Sequence, residues 1–116
     1  MAASKQNFPL FQGDDGIPVQ FTILDDAGLA VDVSTAHFTW VLARTEGAVP
    51  RVTKTDADDI NLSDPTHGII QVIMRKADTD GISGAWYHEL SIVLTGETLT
   101  VAYGTVTINK TSIPGK

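Results

Sequence analysis

The fold class this sequence predicts is an all-β, antiparallel sandwich of two sheets. Three observations predict it. Apolar residues recur with period two, as in Ile17-Val19-Phe21-Ile23 and in Ala36-Phe38-Trp40-Leu42. Turn-forming residues interrupt these runs repeatedly, at Asp25-Asp26-Ala27-Gly28, Thr45-Glu46-Gly47, Asp64-Pro65-Thr66-His67-Gly68 and Thr95-Gly96-Glu97. No long segment sustains apolar spacing at 3.6, so helix is confined to at most one turn within residues 75–81. Short strands of this kind, about seven to nine in all, are what Ig-like sandwiches are built from.

The elements follow in chain order. Residues 1–7 (MAASKQN) are small and polar and predict a flexible arm. Residues 17–23 form the first strand, the turn at 25–28 reverses the chain, and residues 29–33 are expected to return as a strand. Residues 36–42 form the next strand. Residues 51–63 offer two short strands, RVTKT and DINLS, around the acidic Asp56-Ala57-Asp58-Asp59. IIQVIMR, residues 69–75, is apolar on both faces, as a central strand would be. The loop KADTDGISG leads into residues 85–94, and the turn at 95–97 sends the chain back through 98–108. In that last strand the apolar phase slips, from Leu99, Val101 and Tyr103 to Val106 and Ile108, which predicts a β-bulge at Gly104. Pro114 and Gly115 end the regular structure. The organisation is an arm (1–7), one sandwich domain (8–110) and a short tail (111–116). Phe21, Trp40, Trp86, Leu90, Val101 and Val106 are the expected core.

A chain of 116 residues supports one core without staples, and with no Cys it has neither disulfides nor thiolate metal ligands. Eight Lys and Arg stand against fourteen Asp and Glu, and only Arg75-Lys76 places two cations side by side. Nucleic acid requires clustered positive charge, so it is not an expected partner. No apolar run approaches the length of a membrane span, and MAASKQNFPLF lacks the apolar core of a signal peptide, so no membrane is expected and folding in a cytoplasm is.

Several residues invite a chemical reading. In GAWYHELSIVL, residues 84–94, His88 stands beside Glu89. Neighbours on a strand point to opposite faces, so the two cannot form a base and its orienting partner. His88 is expected to be a hydrogen-bonded core residue. Asp78-Thr79-Asp80-Gly81 with Glu89 as the twelfth residue suggests a calcium loop, but Ile82 and Ser83 occupy the fifth and sixth positions, where an oxygen donor and Gly belong. Asp56, Asp58 and Asp59 form the densest carboxylate group, a candidate for a surface cation or else a charged guard beside an edge strand. His37, His67 and His88 could bind zinc only if the fold gathered them. Trp40 and Trp86, with Phe21, Phe38 and Tyr103, could line a sugar groove, though alternating aromatics more often form a core. There is no GxSxG, no P-loop and no nucleophilic Cys. No catalytic residue and no cofactor is expected.

Two stretches carry a resemblance. FQGDDGIPVQFTILDDAGLAVDVS, residues 11–34, has a Gly-Asp pair, an alternating strand, an Asp-rich turn with Gly, and an apolar-Asp-apolar-Ser close. GISGAWYHELSIVLTGETLTVAYGTVTI, residues 81–108, runs from Gly-x-aromatic through a hairpin to Gly-x-Val-x-Ile. Their order and spacing are similar to the N-terminal domain of the phage baseplate upper protein family and to related small domains of phage tails. The resemblance covers about residues 8–108. It implies a β-sandwich without catalytic residues that fixes a receptor-binding or fibre assembly to the particle. Longer members continue into a helical or fibrous region, whereas this sequence ends at Lys116. That leaves three equal expectations: an anchor or adaptor whose fibre or receptor-binding partner is a separate chain, a decoration protein on the capsid, or a sleeve around the tail.

The expected function is therefore that of a non-enzymatic virion structural protein in the tail, baseplate or fibre-attachment region. Its expected partners are other virion proteins and copies of itself. A head decoration protein is the alternative within that class, and a carbohydrate- or receptor-binding module is the alternative outside it. Expected contact residues are Met1, Lys5, Phe8, Arg44, Val49, Arg51, Ile113 and Lys116, drawn from the two termini and the 44–59 region. Both termini are expected to become ordered only in the assembly.

Overall fold

The computed structural model describes residues 3–116. Nine strands form two sheets: β1 (Ser4–Lys5), β2 (Phe8–Phe11), β3 (Ile17–Thr22), β4 (His37–Ala43), β5 (Pro50–Thr55), β6 (Ile60–Asp64), β7 (Ile69–Met74), β8 (Gly84–Leu94) and β9 (Glu97–Asn109). The larger sheet runs β1-β9-β8-β4-β5, with β2 continuing along β9 beyond β1, and the smaller runs β3-β7-β6. In immunoglobulin lettering β3 to β9 are B, C, C′, D, E, F and G, giving G-F-C-C′ against B-E-D. The all-β sandwich is thus of the Ig-like kind, with the first strands laid parallel on G.

Alternation builds the core. Phe38, Trp40 and Leu42 of β4 face inward, as do His88, Leu90 and Ile92 of β8 and Ile70, Val72 and Met74 of β7, and all are buried. β7 lies between β3 and β6, the central position its apolar run predicts. Of the expected core residues, Phe21, Trp40, Leu90, Val101 and Val106 are buried. Trp86 is half-buried at the end of the sandwich, where its indole N–H donates to the Ser83 carbonyl at 3.1 Å and Arg44 lies over its ring. Among the described residues no helix is long and apolar enough to cross a membrane.

Three expectations need correction. Residues 29–33 do not form a strand. β3 and β4 lie in different sheets, so the chain must cross between layers, and only an isolated bridge, Leu24 to Ala30, marks the crossing. The Asp25 carboxylate holds that loop by accepting from the amides of Ala27 and Leu29, both at 2.9 Å. The bulge exists but lies earlier than Gly104. Leu90 pairs with Ala102 and Ser91 with Thr100, so Val101 is the extra residue, and Val101 and Ala102 are buried in succession. The segment expected as a flexible arm is docked from Ser4 onward. Ser4 and Lys5 pair with Ala102 and Tyr103, and the Gln6 amide donates to the Tyr103 carbonyl at 2.7 Å.

The C-terminal segment also lies against the body of the domain. Lys116 pairs with Asp14 at 2.6 Å, and the Lys76 ammonium donates to the Gly115 carbonyl at 3.0 Å.

Candidate interaction surface and the buried histidine

His88 faces inward from β8 with no exposed surface. The Trp40 indole N–H donates to its Nδ1 at 3.2 Å, so the ring proton sits on Nε2, which donates to the Gln6 carbonyl at 2.5 Å. The rings of Phe8, Phe21 and Trp40 surround it, with centroids 4.9, 5.9 and 6.1 Å away. Burial holds the imidazole below its ordinary pKa, and the Gln6 carbonyl opposes that only in part. Both nitrogens are committed, so His88 is a neutral structural group. In antibody domains a disulfide between strands B and F packs on a Trp of strand C. Here Phe21 of β3 and Trp40 of β4 both pack on His88 of β8, an aromatic substitute in a chain without Cys.

Gly104 makes the anchor on Gln6 geometrically possible. It pairs with His88 across the β8–β9 ladder. A Cβ there would overlap the Gln6 carbonyl oxygen and stand 2.6 Å from Asn7 Oδ1. The missing side chain lets the N-terminal segment cross the sheet edge at this point, and Asn7 Oδ1 accepts from the Thr105 amide at 2.9 Å. The sequence signal was the isolated Gly in a strand, but close backbone approach, not a bulge, is its cause.

The carboxylates chosen as cation candidates point to separate partners. Asp56 caps the start of β4, accepting from the Phe38 amide at 3.1 Å and meeting His37 Nδ1 at 3.0 Å, and the His37 contact leads in holding its carboxyl below the usual range. Asp59 pairs with Arg75 and Lys54, both at 2.9 Å, and those bonds lower its pKa. Asp58 is exposed in the turn between them. Asp78 turns inward to Lys54 at 2.7 Å, whereas Glu89 lies on the outer face of β8, so the two ends of the supposed calcium loop do not converge. His67 pairs with Asp64 at the surface, and that contact raises its pKa. Among the described residues no group of three or more His, Asp or Glu is placed to hold a metal.

Lys54 is a functional-looking residue that sequence reasoning passed over. It is 4% exposed on the inner face of β5. Burial pushes its ammonium down, but Asp78 and Asp59 together outweigh that and hold it above its ordinary pKa. Its hydrogen bonds clamp the β5–β6 turn to the loop between β7 and β8. Its place at an even position of RVTKT, beside buried Val52, was the signal available.

The expected contact residues divide. Met1 lies outside the described residues. Phe8 is half-buried against Phe21 and His88. Arg44 donates to the Ala85 carbonyl, Arg51 donates to the Asp80 carbonyl at 2.6 Å, and Lys116 is paired with Asp14. Val49 and Ile113 are exposed, at 89% and 64%. Lys5 is exposed on β1.

Lys5 belongs to the outer face of the larger sheet. Register places Lys5, Tyr103, Glu89, Val41 and Thr53 in one row across five strands. The row on one side is Thr105, Tyr87 and Ala43, and on the other Thr100, Ser91, Thr39 and Thr55. These three rows carry two formal charges, Lys5 and Glu89. The Tyr87 hydroxyl donates to Glu89 Oε1 at 2.8 Å, and partial burial followed by the Glu89 contact pushes the phenol pKa up to about 12. This face shares two features with an interface core, tyrosines and a centre depleted of charge, on a background of Thr and Ser.

No protein-family model matches the chain, and no curated protein matches it. Among solved structures it is similar to the insect immune protein hemolin, at 19% identity and a TM-score of 0.42, covering 100% of this chain and 28% of that one. It is also similar to a family 123 glycoside hydrolase from Clostridium perfringens, at 10% identity and a TM-score of 0.34, covering 92% of this chain and 23% of that one. The chain spans under a third of either length, and at these scores the Ig-like assignment rests on the strand order itself.

Proposed function

We propose that this domain is a non-enzymatic structural protein of a bacteriophage virion, acting as an adaptor or anchor in the tail, baseplate or fibre-attachment region. The observation that carries the reading is the large, charge-poor outer face of the β1-β9-β8-β4-β5 sheet, backed by a core in which, among the described residues, every buried side-chain polar atom is paired. Such a domain acts through its surfaces. The resemblance supports the particular setting, because its two stretches fall on β3 with its flanking segments and on the β8–β9 hairpin, the elements that frame the sandwich.

The copy number of this chain relative to the major capsid protein, measured by quantitative mass spectrometry of purified particles, tests the reading. A few to a few dozen copies place it in the tail or baseplate, hundreds make it a head decoration or tail-tube component, and absence from clean particles overturns the proposal. The sugar-binding alternative has lost Trp40 and Phe38 to the core, which leaves the Tyr87–Tyr103 face as its platform. Glycan titrations that quench tyrosine fluorescence would favour it.

A further inference from the structure

We propose that residues 4–8 form an acid-released strap: protonation of His88 lifts them from β9, and solvent reaches the imidazole through the gap they leave.

The strap is held at the sheet edge by short pairing. Ser4 and Lys5 lie parallel against Ala102 and Tyr103, and Phe8 begins the second stretch opposite Val106. Between those stretches the Gln6 carbonyl accepts from His88 Nε2, and Asn7 Oδ1 accepts from the Thr105 amide at 2.9 Å. Both groups occupy space that only a glycine at position 104 leaves open. Leu10, buried on β2, is where the strap stays attached.

His88 fits this site only while it is neutral. Its Nδ1 accepts the Trp40 indole N–H at 3.2 Å, and a proton on Nδ1 sets one donor against another. The Gln6 bond survives protonation, so the conflict lies at Nδ1. No neighbour resolves it. The elements β2, β3 and β4 present the rings of Phe8, Phe21 and Trp40, and β9 pairs with His88 through Gly104, so no anion faces the imidazole. The charged groups nearby point elsewhere. Lys5 and Glu89 lie on the outer face of the sheet, and Lys54, which pairs with Trp40 across the β4–β5 ladder, is a cation already held by Asp59 and Asp78. His37 and His67 sit at the surface beside Asp56 and Asp64.

An imidazolium here lacks an acceptor, and water is the one available. Trp40 and Phe21 are 0% and 1% exposed, so a path past either opens the core. The strap is the thin wall: Gln6 and Phe8 are half-buried, and the His88–Gln6 bond is partly buried. Lifting it gives up a few edge bonds and one half-buried ring, which makes it the least costly route for water. Release uncovers the edge of β9 from Ala102 to Val106, a row of backbone groups open to a further strand. The device belongs to the fold and operates whatever assembly the domain serves.

Hydrogen exchange of the full chain at pH 7.5 and pH 5.5, followed amide by amide by NMR, is the test. While the strap is closed His88 is held below its ordinary pKa, and once exposed it takes up a proton near pH 6.5, so opening grows as pH falls through that value. Protection factors, corrected for intrinsic exchange, should therefore fall about tenfold at the amides of Gln6 and Thr105 over that interval. They should also lie well below those of β4 and β8 at both pH values, as local opening requires. His88→Gln offers an acceptor to Trp40 and a donor to Gln6 but takes up no proton, so in that variant the fall should vanish. Strap protection that does not change with pH overturns the proposal, as does the same fall in His88→Gln. Protection equal to that of β4 and β8 also overturns it, because the segment would then leave only with global unfolding. If His88→Gln does not fold, the native chain alone still decides between release and these failures.

Discussion

Replacing His88 by Leu removes two hydrogen bonds while keeping an apolar side chain in the site. It leaves the Trp40 indole N–H without its acceptor and the Gln6 carbonyl without its donor. Each abandoned buried group costs about 1–3 kcal/mol, so the two together should cost about 2–6 kcal/mol. The His88 ring and its bond to Trp40 are closed to solvent, so water cannot reach the indole N–H without opening the core, whereas the Gln6 bond is partly buried and lies at the lower end of that cost. Against a total of about 5–15 kcal/mol for a domain of ordinary stability, this loss is a large share. Urea denaturation followed by circular dichroism gives the magnitude, and amide exchange gives the place. Protection should fall first at the amide of Gln6, which bonds the Tyr103 carbonyl, before it falls in β4 and β8. A double-mutant cycle with Trp40→Phe should show coupling of about 0.5 kcal/mol or more, because the two side chains share one hydrogen bond. If His88→Leu costs less than about 1 kcal/mol, or if N-terminal protection is unchanged, His88 is not the anchor described.

Other outcomes follow from the same geometry. The folded pKa of His88 lies below its unfolded value, so its contribution is fully present above about pH 6.5 and declines as pH falls below it, with a slope of up to about 1.4 kcal/mol per pH unit. His67, raised by Asp64, acts in the opposite sense, so denaturation between pH 7.5 and 5.5 is best measured in a His67→Gln background, where the decline should persist and should vanish with His88→Leu. Gly104→Ala should drive the N-terminal segment off β9, because the new methyl group overlaps the Gln6 carbonyl, and limited proteolysis should then cleave between Ser4 and Phe11. Unchanged protection there would show that the segment can shift aside. Lys54→Met keeps the buried stem but strips Asp59 and Asp78 of their shared cation, a loss of about 2–3 kcal/mol, below the 3–5 of a fully buried pair because both carboxylates retain some exposure and other partners. A thermal melt indistinguishable from that of the native chain would refute the clamp.

Local physics made the strands from β3 through β9 legible. Alternation in β3 and β4 gave their inward faces correctly, since a period of two depends only on neighbouring residues. Neighbour logic also separated His88 from Glu89, because a strand sends them to opposite sides whatever it packs against. The phase slip in residues 98–108 announced a bulge, but only the pairing of Leu90 with Ala102 and Ser91 with Thr100 located it at Val101.

What could not be read was whatever depends on distant partners. β1 is two polar residues and β2 only four, FPLF with a Pro in it, so neither announces itself, and they become strands because β9 offers an open edge about a hundred residues away. Residues 29–33 carry a strand-like pattern that the crossing between sheets overrides. Lys54 drew no reading from the sequence, because its role exists only once the fold brings Asp59 and Asp78 to it. The composition and periodicity of this chain were enough to determine an Ig-like sandwich, because burial of alternate residues is a local demand. Which groups anchor His88, why Gly104 is indispensable and which face carries the row from Lys5 to Glu89 were decided by register, a property that exists only once the strands are side by side.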